Sequence, residues 1–278
     1  MVASRSTVVL VSDPILGRMT EASTLDDPLA EARRLVELAE RSGMKVRLLG
    51  GLAFHAQVPT WLAEVERPRR DIDLATRSRD RREVTSLLVG CGYTPDRRYN
   101  ALHGHKQLYF VDARTGRPVD ILVDRLEMCH RFEFGDRLGL DPLTLPLADL
   151  LLSKLQIVRI NRKDLLDILI LLRERELGSD DAGRISVTRI TSLTSADWGW
   201  WRTVTGNLER LVDFATTELR PHELDTGSPA RHDQGEQLRA IRVAIEQAPK
   251  SIGWRLRARL GDRAPWYEEP EEIGHGAE

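Results

Sequence analysis

The sequence predicts an α/β fold of the α+β kind, with a small mixed sheet in the front half and a helical back half. Three observations carry this. Short runs of strand character at 45–49, 70–75, 106–111 and 118–123 all lie before residue 124. Glycine or polar turns punctuate them, and from Pro146 onward apolar residues recur at helical spacing. At 278 residues the chain is long enough for one large domain or two moderate ones, with a core that needs no covalent staples.

Taken in order, residues 1–26 read as a loose arm in which Val8 to Val11 form an extra strand. Asp27-Pro28 is a helix cap followed by proline at the first helical position. Leu35, Leu38 and Ala39 then share a face until Gly43, giving a helix over 28–42. Residues 45–49 form a strand that ends in Gly50-Gly51, and Leu52, Ala53, Phe54 and Ala56 open the next helix. The strand at 70–75 alternates, so Ile72 and Leu74 point one way while Asp71 and Asp73 share the other face. Ser78 reads as the cap of a helix through Leu88, and a polar loop follows Gly92. Residues 106–111 and 118–123 flank Arg114-Thr115-Gly116 as an antiparallel hairpin. Helices follow at 147–160, 164–175, 195–218, 234–247 and 251–260, and an acidic tail from 268 to 278 reads as disordered. The polar break at 178–183 divides a domain at 27–178 from a helical one at 184–267.

The chemistry concentrates in three places. A glycine pair between strand and helix, Gly50-Gly51, lets backbone amides approach a polyphosphate and aims a helix N-terminus at its charge. Asp71 and Asp73 on one strand face, with Asp120 on a later strand, can converge on a hard divalent cation, Mg2+ or Mn2+, which takes oxygen ligands and substrate phosphates. Together these imply in-line attack of a hydroxyl on the α-phosphate of an NTP. Taken singly, the glycines form an ordinary turn, and the two aspartates form a solvated face balanced by Arg67, Arg69 and Arg70.

The set Gly50, Gly51, Asp71, Asp73 and Asp120 resembles the DNA polymerase beta-like nucleotidyltransferase superfamily, whose core joins a Gly-Gly turn, an Asp-x-Asp strand and a later strand Asp. The 20-residue separation from Gly51 to Asp71 is longer than usual there and implies an insertion near 59–68. Lys154, Arg159, Lys163, Asp164 and Asp167 form a string that looks like the AbiEii-type nucleotidyltransferases, toxin halves of type IV toxin-antitoxin systems. That resemblance spans about residues 45–175 and implies a nucleotidyltransferase fold and Mg2+-dependent NMP transfer to RNA or a tRNA end, with a cognate antitoxin as partner. It further implies that Lys154 contacts nucleotide phosphates and that Asp164 or Asp167 completes the site. The spacing also puts Lys154 and Arg159 near one helical stripe, where an ammonium and a guanidinium suit a triphosphate. As helix residues, the same five serve equally as i,i+3 and i,i+4 ion pairs. Transfer to a small molecule of the aminoglycoside type, and a binding protein without turnover, are the alternative functions.

Residues 66–83 hold seven Arg against five acidic residues, and 250–263 add Lys250, Arg255, Arg257, Arg259 and Arg263 around Trp254. Both segments are candidate contacts for nucleic acid, with arginine on phosphate and tryptophan on a base. Lys+Arg 41 against Asp+Glu 43 excludes a global charge bias. Cys91 and Cys129 are too few for a disulfide framework and lack a metal-binding spacing, so both read as packing residues of a cytoplasmic chain. No apolar stretch reaches the roughly 20 residues of a membrane helix, and no membrane partner is expected.

Overall fold

The computed structural model describes residues 23–61 and 71–269. Helix α1 (Pro28–Arg41) starts where Asp27 accepts the Ala30 amide proton, and it packs on strands β1 (Val46–Leu49) and β2 (Ile72–Thr76). Between those strands lies α2 (Gly50–Gln57). A 3₁₀ turn at Ser78–Asp80 leads into α3 (Arg81–Gly90), β3 (Tyr93–Pro95), α4 (Arg97–His103), β4 (Gln107–Asp112) and β5 (Pro118–Val123).

The five strands form one mixed sheet in the order β1-β2-β5-β4-β3. Only the central β2–β5 pair is parallel. The β4–β5 hairpin closes as expected through Gly116 in a left-handed conformation, and the Asp112 carboxylate accepts from the Arg114 amide and the Thr115 hydroxyl. Alternation places Leu108, Phe110, Val119 and Ile121 in the core and leaves Gln107, Tyr109, Asp120 and Leu122 on the opposite, partly exposed face. The outer edge of β1 is covered by the segment at 143–145, through Leu48 N–H to Leu143 O and Leu145 N–H to Leu48 O.

After a small ribbon, β6 (Arg125–Glu127) and β7 (Arg131–Glu133), come α5 (Leu147–Leu155) and α6 (Arg162–Glu174), which are buried on nearly every side. They form the central pillar. Helix α2 packs on both. On their other sides lie α7 (Val187–Ala196), α8 (Trp198–Thr217) and α9 (Gln234–Gln247), while α10 (Ile252–Ala258) packs on α7 and α8. The strands β8 (Leu177–Gly178) and β9 (Ile185–Ser186) flank the break at 178–183, and one apolar cluster runs across it from Leu150 to Ile190 and Val204.

Several sequence expectations change. The helix over 147–160 stops at Leu155, because Asn161 caps a new helix by accepting the Asp164 amide proton. The helix over 195–218 starts later, as α8, because the Asp197 carboxylate caps it through the Trp200 amide, and α7 precedes it as a helix not expected from the sequence. Ser78 opens a 3₁₀ turn instead of capping α3, and its amide donates to Asp124 Oδ1. The polar loop after Gly92 contains β3 and α4.

Residues 1–22, with the strand expected at Val8 to Val11, lie outside the described residues, as do most of the insertion expected at 59–68 and the tail from 270. The described end of the arm is tethered by the Arg117 guanidinium, which donates to the Leu25 and Asp26 carbonyls. At the start of the tail, Glu268 N–H donates to Cys129 O. No helix among the described residues is long and apolar enough to cross a membrane.

Candidate functional site

The site begins where β1 gives way to α2. Gly50 adopts φ +63, and a Cβ added there would lie 1.9 Å from Asp73 Oδ2. The Asp73 carboxylate therefore occupies the space that only a glycine leaves, and glycine is also the residue that takes this backbone conformation without strain. The register explains the approach, since Leu49 is paired with Asp73 across β1 and β2.

On its other side Asp73 is paired with Asp120 across the parallel β2–β5 ladder. Adjacent strands run about 4.8 Å apart with register partners on the same face, so two carboxylates project side by side. Asp71, just before β2, is exposed. The Tyr109 phenol is pushed above its ordinary value by burial, then by the charges of Asp120, Asp71 and Asp96.

Tyr109 is the cross-strand partner of Asp120, and Gln107 Nε2 donates to Asp120 Oδ1 at 2.5 Å. Helix α4 is locked to this strand by Asn100, whose amide donates to Tyr109 O and whose carbonyl accepts from Tyr109 N–H. This sets the Tyr99 ring edge-on to Tyr109, with centroids 6.2 Å apart. Burial, then Asp120 and Asp96, also push the Tyr99 phenol up. Sequence reasoning missed Gln107, Tyr109, Tyr99 and Asn100. The signal for the first two was available, because the hairpin register puts them on the Asp120 face.

The second group forms behind α2. Lys154 Nζ lies 2.5 Å from Asp164 Oδ1 and 3.4 Å from Asp167 Oδ2, and 5.8 Å from the ring centre of the fully buried Phe54 of α2. Lys154, Asp164 and Asp167 are thus brought together as an ion-pair cluster across the α5–α6 junction. Arg159 is not part of it. With α5 ended at Leu155, Arg159 sits in the connecting loop, its side chain 86% exposed and 3.7 Å from Glu269, so the shared helical stripe with Lys154 does not exist. Gly51 lies half-buried in the first turn of α2.

Among the described residues no group of three or more His, Cys, Asp or Glu is gathered closely enough to hold a metal ion. Asp73 and Asp120 are paired across β2 and β5, and Asp71 lies exposed just before β2. Carboxylate oxygens on two neighbouring strands are the donor type a hard divalent cation takes.

At the opposite end of β2 and β5 lies a cavity of about 580 Å³, lined by Arg77, Arg79, Arg125, Arg137 and Arg189 among acidic residues. Four of its five guanidiniums are closely matched: Arg77 with Asp80, Arg125 with Glu127, and Arg137 and Arg189 with the fully buried Asp149 at 2.6 and 2.9 Å. Of the arginine-dense stretch at 66–83, Arg77 is engaged here with Asp80, whereas the side chain of Arg79 is 71% exposed. The cysteines are buried as expected, and burial raises the Cys91 thiol pKa, which disfavours the thiolate. His130 is also buried, on Trp200 and Thr203, and burial lowers its pKa to about 4.

No family model matches the chain, and no curated protein does. Among solved structures, the chain is similar to an antigenic nucleotidyltransferase-like protein from Paracoccidioides brasiliensis, with a TM-score of 0.40 and 14% identity over 70% of this chain and 93% of that one.

Proposed function

We propose that the chain is a nucleotidyltransferase that moves an NMP from an NTP to a hydroxyl acceptor at the Asp73–Asp120 pair. The observation that carries this reading is the juxtaposition itself. Two carboxylates stand in register on adjacent strands, and one of them rests in the space left by a left-handed glycine.

In this reading Asp73 and Asp120 hold a divalent cation, with Asp71 joining from the strand entry. Bound there, Mg2+ or Mn2+ would lower the pKa of the incoming hydroxyl and offset the charge of the triphosphate and departing pyrophosphate. In this reading the triphosphate approaches the backbone amides at the start of α2, the helix that Gly50-Gly51 opens. Gln107 orients Asp120, which serves as ligand or as base toward the acceptor hydroxyl. Lys154, Asp164 and Asp167 support α2 from behind, and the phosphate contact expected of Lys154 competes with its pairing to the two aspartates.

RNA, with a tRNA end as its most specific form, is the acceptor this reading favours. The exposed Arg97 and Arg98 of α4, which immediately precede Tyr99, support it. The role as a type IV toxin with a cognate antitoxin rests on the AbiEii resemblance alone. Incubating the protein with each α-labelled NTP, Mg2+ and either total RNA or a panel of aminoglycosides separates the possibilities. Label on RNA is expected. Label on the small acceptor instead would replace RNA with the aminoglycoside-type reading, and label nowhere would leave a binding protein without turnover.

A further inference from the structure

Helix α10 presents an apolar row to solvent. Ile252, Leu256 and Leu260 follow at i, i+4 and i+8 along the helix and the turn that extends it, with side chains 77%, 55% and 53% exposed. Three of the nine exposed large apolar side chains among the described residues thus fall within nine consecutive positions. Scattered singly, such residues are ordinary; aligned in a row they mark a contact surface.

The inner side of the same element is firmly seated. Ser251 caps it by accepting from Trp254 N–H and donates its hydroxyl to Ala196 O. Trp254 turns inward, edge-on to Trp201 at 5.3 Å, and Arg257 lies 4.6 Å from the Trp198 ring centre while donating to the Gly261 and Ala264 carbonyls. The outward row is therefore held in place by the fold.

Arg255 and Arg259 are exposed at i, i+4 beside the apolar row, and Arg263 is exposed in the turn beyond the helix. On the neighbouring helices Arg202 and Arg242 are matched to Asp262 and to Glu209 and Glu246, whereas these three make no ion pair among the described residues. An aliphatic row flanked by unmatched guanidiniums is complementary to one kind of surface.

We propose that α10 docks an acidic amphipathic helix of a protein partner, whose aliphatic row packs on Ile252, Leu256 and Leu260 while carboxylates one turn apart meet Arg255 and Arg259. Nucleic acid fits less well. Phosphates would take up the arginines but leave the aliphatic row in water, and Trp254, the one aromatic of this segment, faces away. A second copy of this chain would oppose arginine to arginine. An anionic bilayer calls for a wide apolar face, and a single row is narrow. This surface is independent of the proposed chemistry at the sheet.

The test uses the full chain and four probes: a fluorescent synthetic helix with a leucine row flanked by glutamates, the same helix with lysines replacing the glutamates, single-stranded RNA, and phosphatidylserine vesicles. The glutamate helix is expected to bind at least about tenfold tighter than the lysine helix. Leu256→Asp and the Arg255→Glu/Arg259→Glu pair are each expected to weaken it by about tenfold or more. All three positions are exposed, so an unchanged circular dichroism melt verifies the fold. Absent or equal binding of the two helices, indifference to Leu256→Asp, or RNA or vesicle binding that depends on Leu256 would overturn the proposal.

Discussion

The two ends of the β2–β5 strand pair carry opposite electrostatic logic. At the end past Thr76 and Val123, five arginines line a cavity, yet the fully buried Asp149 is bracketed by Arg137 and Arg189, and Arg77 by Asp80. Charge there ties α5 and α7 to each other and to the segment at 133–137. At the other end, carboxylate is set beside carboxylate against a glycine that makes room for one of them. The lesson is that density of charge does not locate a site. The arginine-lined end is a seam, and the end where Asp73 and Asp120 stand in register is the candidate site.

The largest effect is expected at the seam. Asp149→Asn leaves two guanidiniums facing an uncharged partner and should cost about 3–5 kcal/mol in urea unfolding, with activity per folded molecule retained. Lost activity at retained stability would reverse the assignment of the two ends.

Lys154→Met tests whether the cluster behind α2 is structural. It should destabilise by about 3 kcal/mol, because Asp164 and Asp167 lose their cation, and adding Asp164→Asn should recover part of that loss in a double-mutant cycle. A single variant as stable as the parent would return Lys154 to a purely nucleotide-facing role.

A smaller effect concerns His130, whose folded pKa of about 4 lies below its ordinary value near 6.5 because burial disfavours the charged ring. Between those values the unfolded chain holds the proton and the folded one does not, so stability falls as pH drops. The contribution should be about 2 kcal/mol between pH 7 and pH 5, and His130→Asn should remove it. An unchanged slope in the variant would contradict the burial argument.

Gly50→Ala should cost only about 1–2 kcal/mol for the left-handed backbone, yet it displaces Asp73 and should therefore reduce transfer far more than stability. Proportionate losses would mean that Gly50 serves the turn alone.

Much of the sheet was legible from local pattern. Pro118–Val123 coincides with its expected bounds, Asp27 caps α1 as its spacing implies, and Asp73 and Asp120 lie on the partly exposed face that alternation assigns to them. Helix α4 was not legible. It is short, with Tyr99 as its one buried residue, and it is held by the two hydrogen bonds of Asn100 to Tyr109, a tertiary contact that periodicity does not encode. Helix α5 looked longer than it is because Ile157 and Ile160 extend its apolar pattern into a loop whose end is set by the Asn161 cap. The spacing of Lys154, Asp164 and Asp167 was visible, but whether such a set pairs internally or meets a ligand is decided by packing between helices.

The most direct measurement is transfer of label from an α-labelled NTP by the parent, Asp73→Asn and Asp120→Asn proteins, alongside their melting curves. Transfer by the parent and a loss of about a thousandfold or more in both variants, with melting unchanged, is the expected result. Undiminished transfer in either variant, or variants that lose activity only because they unfold, would contradict a catalytic pair at this end of the sheet.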